Sequence, residues 1–379
     1  MQIVVLGAGR VGSAIAVDLA AEDGFEVRVA DRDEARLTRL AERHGIAGER
    51  VDFSLPSTVR RAIDGAELVV SAVPGFLGYR TLEAVLQTGT DVVDIAFFPE
   101  DPFALDRLAQ ERGVRAIVDC GVAPGMSNLL VGHADTLLEV TESVEIYVGG
   151  LPAERTPPFE YRAVFSPIDV IEEYTRPARI VVDGETVIRP ALSDLELLRF
   201  DIGELEAFLT DGLRTLVDTI DAPRMCEKTL RYPGHAGKIA LLRDAGFLSD
   251  EPIDVDGRPI RPIDVATSLL FPLWELRDGE EDVTVMRIEV AGRAGGRPVR
   301  YRYDLLDRYN PVTRTTSMAR TTGYTATMAA RLLAEGRWTR AGVAPPEFVG
   351  RDPEAVEFLL SGLRDRGIVY RETVERGGA

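Results

Sequence analysis

The chain has 379 residues, 45% of them hydrophobic, which is enough for two or three domains with sizeable cores. Its 44 lysines and arginines against 62 aspartates and glutamates give a formal charge of −18, which argues against nucleic acid or an anionic membrane as a partner. Two cysteines are too few for a disulfide framework, and no apolar run approaches the roughly 18 residues of a membrane span. We therefore expect a cytoplasmic protein that binds neither nucleic acid nor membrane.

The first predicted elements form a nucleotide-binding turn. Residues 2–6 are a short β-branched run that leads into a G-x-G-x-x-G motif and an apolar helix pattern. In such a turn the backbone approaches a pyrophosphate, and the helix N-terminus supplies N–H donors. A second strand ends at Asp31, where a carboxylate binds the adenosine ribose and repels a 2′-phosphate. This favours NAD over NADP, although the adjacent Arg32 weakens the preference. The predicted cofactor residues here are Gly7, Gly9, Arg10, Val11, Gly12, Asp31 and Arg32.

Strands alternate with helices through the first third of the chain. Strand-like runs at 67–73, 91–97 and 115–120 are separated by helical stretches, as in a Rossmann-like, doubly wound parallel sheet. Ligands of such α/β sheets bind beyond the carboxyl ends of the strands. We therefore expect the nicotinamide and the substrate near loops that carry Ala72, Pro74, Asp94 and Asp119, and we add Ala72, Pro74 and Asp94 to the predicted cofactor residues.

The pattern changes after Gly125. Residues 144–150 and 179–188 alternate like antiparallel strands, and 283–291 with 298–306 predict another hairpin. The sequence thus predicts a second α+β domain with a mixed or antiparallel sheet over about 126–309. The tail is helical again.

Ten stretches resemble the saccharopine dehydrogenase superfamily, and most closely its lysine 6-dehydrogenase branch. They are Gly7–Gly12, Val73–Gly78, Phe98–Pro102, Asp119–Asn128, Tyr147–Pro152, Glu172–Ala178, Asp211–Arg214, Thr229–His235, Ser317–Arg320 and Gly342–Glu347. The resemblance implies a discontinuous NAD-binding domain, residues 1–125 with 310–379, beside a substrate-binding and dimerisation domain at 126–309. It also implies a homodimer or larger assembly, and NAD-linked oxidation of the ε-amine of L-lysine to a semialdehyde that cyclises to a piperideine carboxylate.

Oxidation of an amine by hydride transfer requires a neutral amine and a group that handles protons near neutral pH. The carboxyl groups at the predicted strand ends are Glu100, Asp101 and Asp119, of which we favour Asp101 or Asp119 as the catalytic residue. Each has an ordinary alternative role. Asp101 precedes Pro102 and is suited to cap the next helix, and Asp119 is suited to accept backbone donors in its own turn.

An amino-acid substrate also carries an α-carboxylate, for which a bidentate arginine is suited. Arg231 is the predicted partner, with Tyr232 and His235 beside it, although surface pairing and packing remain alternatives for each. The chain has only two lysines, Lys228 and Lys238, and both flank this stretch. Lys238 matches the family pattern, which makes it a substrate-site or structural candidate.

Two other functions remain open. One is a dehydrogenase or reductase that acts on saccharopine or a carboxylated polyamine with NAD(P), which needs further cationic groups for a second carboxylate. The other is a nucleotide-sensing regulatory module without catalysis, because residues 4–12 also resemble the NAD-binding regulatory domains of potassium transport systems. No cluster has metal-ligand spacing, and no metal is predicted.

Overall fold

The computed structural model describes residues 1–377, which form two sheet-centred domains. The strands are β1 Gln2–Leu6, β2 Glu26–Asp31, β3 Ala47–Arg50, β4 Leu68–Ser71, β5 Asp91–Asp94, β6 Arg115–Ile117, β7 Val140–Pro152, β8 Ala178–Val182, β9 Glu185–Arg189, β10 Glu196–Phe200, β11 Gly203–Leu209, β12 Arg224–Arg231, β13 Ile253–Val255, β14 Arg258–Ile260, β15 Asp282–Ala294, β16 Arg297–Arg308, β17 Gly342–Ala344 and β18 Tyr370–Arg376. The helices are α1 Arg10–Ala20, α2 Glu34–His44, α3 Pro56–Ala62, α4 Gly75–Thr88, α5 Asp106–Arg112, α6 Met126–Thr136, α7 Pro167–Thr175, α8 Leu216–Thr219, α9 His235–Asp244, α10 Pro262–Trp274, α11 Ser317–Ala334, α12 Pro346–Gly350 and α13 Pro353–Asp365.

The first sheet has seven parallel strands in the order β17-β6-β5-β4-β1-β2-β3. Strand β1, which lies inside the sheet between β4 and β2, is apolar on both faces because helices cover the sheet from both sides, and residues 3–6 are fully buried. The predicted Rossmann-like doubly wound sheet is confirmed. This topology places the carboxyl ends of β1, β2, β4, β5 and β6 along one edge.

The second sheet has nine strands and is mixed. β12 and β7 run parallel, whereas the other pairs, including the long β15–β16 hairpin, are antiparallel. The β8–β9 hairpin turns at Asp183 and Gly184, which both have positive φ, as a two-residue turn of this hand requires. The predicted α+β second domain is therefore confirmed.

The chain returns from the second sheet to the first through α11. This helix contacts both α1 and β15, and β17 then pairs with β6 in the first sheet. The last strand, β18, differs from the prediction that residues 310–379 belong to the NAD-binding domain, because it pairs with β16 and covers an edge of the second sheet. Residues 378 and 379 lie outside the described part. Among residues 1–377, no helix is long and apolar enough to cross a membrane.

Candidate active site

The first βα turn is packed closely against its surroundings. Gly7 has φ +105°, and a Cβ on Gly12 would lie 2.0 Å from the Gly7 carbonyl oxygen. Helix α1 begins at Arg10, and its N-cap, Gly9, has no side chain to bind the first amides. These amides are therefore suited to bind an anion such as a pyrophosphate.

Asp31 ends β2 at the position predicted for a ribose ligand. Its Oδ2 accepts the Ala8 N–H at 2.5 Å, and its Oδ1 accepts the Asp33 N–H at 2.8 Å. These bonds tie the carboxylate to the glycine turn, and Arg32 and Arg36 line the cavity beside it. The turn and the carboxylate together fit a dinucleotide.

A cavity of about 920 Å³ is lined by residues of both domains. Nine of the ten predicted cofactor residues line it, namely Gly7, Gly9, Arg10, Val11, Gly12, Asp31, Arg32, Ala72 and Pro74. The exception is Asp94, which is fully buried at the end of β5, where it accepts the Ala96 N–H at 3.4 Å. Burial raises the pKa of Asp94 to about 7. This carboxyl group therefore supports the loop after β5 instead of contacting a ligand directly.

Asp101 lies away from the cavity. It is exposed, and its Oδ1 accepts the Phe103 N–H at 2.9 Å, which caps the short 3₁₀ turn Pro102–Leu105. The structure therefore shows the capping alternative. Because Asp101 is not among the residues that line the cavity, it is not placed to take a proton from a substrate there.

Asp119 is buried and paired. Its two oxygens accept the Arg214 Nε–H and Nη2–H at 3.0 and 3.2 Å, and the two side chains are only 1% and 2% exposed. Neither residue lines the cavity. Since both carboxylate oxygens serve this ion pair, Asp119 acts as a link between the domains and is a poor candidate for the acid or base.

Strand β12 presents alternate side chains to the cavity. Glu227, Thr229 and Arg231 line it, whereas Lys228 and Leu230, which alternate with them on the strand, do not. This follows from the period of a strand, in which residues two apart share a face. One face of β12 therefore contributes to the site. The first residue on that face is Glu227, which the sequence analysis did not predict as a site residue.

Three predicted substrate residues lie outside the cavity. The Tyr232 hydroxyl donates to the Pro152 carbonyl at 2.9 Å, on the opposite face of the sheet. Lys238 lies half-buried on α9 and does not line the cavity. The third is His235, which lies behind the cavity wall.

His235 is enclosed by aromatic and backbone groups. Its Nε2 is 2.9 Å from the Tyr174 hydroxyl, and its Nδ1 is 3.0 Å from the Phe159 carbonyl oxygen. Burial, together with the nearby Arg231, lowers the pKa of His235 to about 3. The ring is therefore neutral at physiological pH and supports Tyr174 from behind the cavity wall.

Arg231 does line the cavity, but its guanidinium is already engaged. Nε donates to the Tyr174 hydroxyl at 3.1 Å, Nη1 to the Leu230 carbonyl at 3.0 Å and Nη2 to Glu173 Oε2 at 2.8 Å. The group also lies 4.6 Å from the centre of the Tyr161 ring. Arg231 therefore holds the wall together and has few donors left for a substrate.

The sequence reasoning missed the acids of the second-domain wall. They are Asp169, Glu172, Glu173, Asp211, Glu227 and Glu275. Three of them lie on α7 at spacings of three and four, which place side chains on one helix face and are visible in the sequence. In residues 1–377 no three such side chains are grouped in a way that could hold a metal ion. The wall is thus an extended acidic surface.

Arg176, just after α7, is the other guanidinium on that wall. Its Nη2 donates to Glu172 Oε2 at 3.1 Å, and its Cζ lies 4.7 Å from the centre of the Phe97 ring. Its Nη1 is enclosed yet has no hydrogen-bond partner in the described chain. A buried N–H without a partner is costly, and an anionic ligand group would satisfy it.

Two family models match the chain. The Saccharopine dehydrogenase C-terminal domain matches residues 121–368, and the Saccharopine dehydrogenase NADP binding domain matches residues 3–117. Carboxyaminopropylagmatine dehydrogenase of Synechocystis sp. is 23% identical over 399 residues, covering 98% of each chain. Saccharopine dehydrogenase [NADP(+), L-glutamate-forming] of Saccharomyces cerevisiae is 22% identical over 442 residues, covering 97% of this chain and 98% of the relative.

Solved structures agree in fold. Apo saccharopine dehydrogenase (L-Glu forming) from Saccharomyces cerevisiae superposes with a TM-score of 0.81 at 21% identity, covering 99% of both chains. Homospermidine synthase from Legionella pneumophila, in complex with NAD, gives 0.71 at 12% identity, covering 98% of this chain and 91% of that one. At these identities the likeness establishes the shared architecture of the two domains.

Proposed function

Because the chain belongs to the saccharopine dehydrogenase family, we propose that it oxidises the amine-bearing ε-carbon of L-lysine with NAD. Family membership makes it an oxidoreductase that acts on CH–NH groups and uses NAD or NADP. The alternative of a regulatory module without catalysis is therefore wrong. The observation that carries the proposal is the cavity itself, which joins a nucleotide-binding edge to an acidic wall.

The ribose end of the cavity supports NAD as the dinucleotide. When bound, its nicotinamide accepts a hydride from the substrate carbon. Asp31 is held by two backbone amides at the end of β2, and its charge opposes a 2′-phosphate. Arg32 and Arg36 line the same region and favour the phosphate. Titration of protein fluorescence with NAD and with NADP gives the Kd of each dinucleotide. We expect tighter binding of NAD than of NADP in wild type. In Asp31→Ala we expect weaker binding of NAD than in wild type.

The charges of the wall support a substrate with ammonium groups and one carboxylate. The six carboxyl groups outnumber the two guanidiniums on the wall, Arg176 and Arg231, together with Arg179, which pairs with Asp211. Lysine carries two ammonium groups and one carboxylate, which matches this excess. Since Arg231 is engaged with Glu173, the unpartnered Nη1 of Arg176 becomes the proposed partner of the α-carboxylate.

A carboxylated polyamine is the second candidate. It is favoured by the nearly full-length similarity to carboxyaminopropylagmatine dehydrogenase, and such a molecule also combines several cations with a carboxylate. Saccharopine is less suited to the cavity, because its additional carboxylates would face an acidic wall.

The direct test follows absorbance of the reduced nicotinamide with NAD and NADP. The panel contains lysine, saccharopine, carboxyaminopropylagmatine and their parent amines. We expect lysine with NAD to give the highest kcat/KM. Turnover of saccharopine without turnover of lysine would reject the substrate assignment, and turnover of carboxyaminopropylagmatine alone would select the second candidate.

The predicted homodimer stays a proposal, and α10 supports it. Val265, Leu269 and Leu273 are exposed at spacings of four on this helix, which gives an apolar stripe of the kind that a second copy covers. We expect light scattering to give twice the chain mass, and Leu269→Glu to halve it. The cytoplasmic location likewise stays a prediction, drawn from the low cysteine content.

A further inference from the structure

We infer that Glu227 is the acid–base residue of this site, the group that removes a proton from the substrate's ammonium before oxidation. The inference rests on the proposed function, since it assigns a catalytic role within that reaction. Glu227 lies on the cavity face of β12, in the same row as Thr229 and Arg231, and is only 3% exposed. It therefore meets a bound substrate while being shielded from bulk water.

The hydrogen bonds of Glu227 engage one oxygen and leave the other for a substrate. Oε2 accepts the Thr210 hydroxyl at 2.5 Å and the Gly212 N–H at 3.1 Å. Thr210 Oγ1 is also 2.8 Å from Thr229 Oγ1, and because its single hydrogen goes to Glu227, it accepts from Thr229. With Oε2 fixed as an acceptor, Oε1 is the oxygen that carries or releases a proton.

The backbone at Gly212 holds this carboxyl group in place. A Cβ there would lie 2.4 Å from Glu227 Cδ, so a larger residue would displace the carboxyl group. The close approach lets the Gly212 N–H reach Oε2. Glu227 is thus held from two sides, as a group that must meet a substrate at a fixed position should be.

Glu227 differs from Asp211 and Glu173, the two acids whose charges act on it, in having no cationic partner in the described chain. Asp211 is paired with Arg179 at 2.8 Å, and Glu173 with Arg231 at 2.8 Å. The adjacent strand β7 presents uncharged residues, Ile146 and Val148, at the paired positions. Burial, together with the charges of Glu173 and Asp211, raises the pKa of Glu227 to about 8. Its proton affinity is therefore suited to exchange with an amine near neutral pH.

The chemistry that follows is balanced. The substrate ammonium, R–CH₂–NH₃⁺, gives one proton to Glu227, and the neutral amine's lone pair forms the C=N bond as a hydride leaves the carbon for the oxidised nicotinamide. Water then adds to the iminium carbon, and the C–N bond breaks to release ammonia and the aldehyde. The sum is R–CH₂–NH₃⁺ + NAD⁺ + H₂O → R–CHO + NADH + NH₄⁺ + H⁺. Glu227 releases the ammonium proton to solvent, which is the H⁺ of the sum. In the water step Glu227 then accepts a proton from the attacking water and passes it to the leaving nitrogen.

The kinetic test compares wild type with Glu227→Gln. Glutamine has the same size and shape as glutamate but cannot gain or lose a proton in this pH range. We expect kcat to fall by about 10²- to 10⁴-fold while dinucleotide binding is retained. The ionisation near pH 8 on the acid side of the kcat/KM profile should disappear. Lys228→Arg, on the opposite face of the same strand, is the matched control and should keep the wild-type profile. Unchanged kcat and profile in Glu227→Gln would overturn the inference.

A second measurement separates this inference from the proposed function. Infrared difference spectra of the free protein between pH 6 and pH 9 report carboxyl groups that lose a proton. Subtracting the Glu227→Gln spectrum isolates Glu227 from Asp94 and other carboxyls. We expect a protonated-carboxyl band in wild type that is missing from the variant. If wild type oxidises no amine in the panel, the proposed function fails, and absence of this band overturns the assignment of Glu227 independently.

Discussion

The Asp119 carboxylate and the Arg214 guanidinium form an ion pair that joins the two domains. Two hydrogen bonds connect them, with N–O distances of 3.0 and 3.2 Å. Asp119 follows β6 of the first sheet, and Arg214 precedes α8 of the second domain. The guanidinium also lies 5.0 Å from the centre of the Phe97 ring, which lines the cavity. This pair therefore fixes the position of one domain relative to the other beside the site.

Asp119→Asn should destabilise the protein by about 3–5 kcal/mol, because it leaves the Arg214 charge buried without a counter-charge. We expect a clear drop in the melting temperature, measured by calorimetry. The double variant Asp119→Asn with Arg214→Met should recover part of that loss, since both charges are then gone. An unaltered melting temperature together with a large loss of kcat would return Asp119 to the role of acid or base.

Asp101→Asn should leave kcat and KM unchanged. The side chain is exposed and caps a short turn through Phe103 N–H, and asparagine caps as well as aspartate. Initial rates over a range of substrate concentrations test this. Asp101→Ala, which removes the cap, is the companion variant, and it should affect melting temperature more than rate. A loss of kcat in Asp101→Asn would show that the loop reaches the substrate.

The nucleotide-binding half could be predicted because its signals are local. The glycines, the strand before them and Asp31 lie within a short span, and each has a backbone reason for its identity. The catalytic half depends on contacts between distant parts of the chain. The partner of Asp119 is 95 residues away along the sequence, and no spacing indicates it.

Of the predicted neighbours Arg231, Tyr232 and His235, only Arg231 lines the cavity. Strand β12 ends at Arg231 and helix α9 begins at His235, so the three residues do not share one face. Adjacency in sequence is not adjacency on a strand, because successive side chains point to opposite faces. Applying the period of two to 224–231 would have grouped Glu227 and Thr229 with Arg231. That Glu227 lacks a cation, and that Arg176 has an unpartnered N–H, emerges only from the folded arrangement.

His235 should make the protein less stable as the pH falls, since its folded-state pKa of about 3 is below the usual value of 6.5. Between these values the unfolded chain binds a proton that the folded protein excludes. Stability from this group is complete above pH 6.5 and falls by about 1.4 kcal/mol per pH unit below it. Denaturant unfolding of wild type and His235→Gln at pH 7 and pH 5 tests this. Between pH 7 and pH 5 the free energy of unfolding should decrease more for wild type than for His235→Gln. An equal decrease in both proteins would show that His235 has an ordinary pKa in the folded protein.

Arg176→Gln should raise KM for lysine by about 10- to 100-fold, because a charge-assisted contact to a carboxylate contributes about 1.5–3 kcal/mol. The informative comparison is 1,5-diaminopentane, which is lysine without its carboxylate. If the Nη1 of Arg176 binds that group, the variant loses affinity for lysine while its KM for the diamine stays close to that of wild type. Arg199→Gln, an exposed arginine on β10, controls for the loss of one positive charge and should change neither constant. An equal rise of KM for both amines would mean that Arg176 supports the wall through Glu172 and Phe97 and does not recognise the carboxylate.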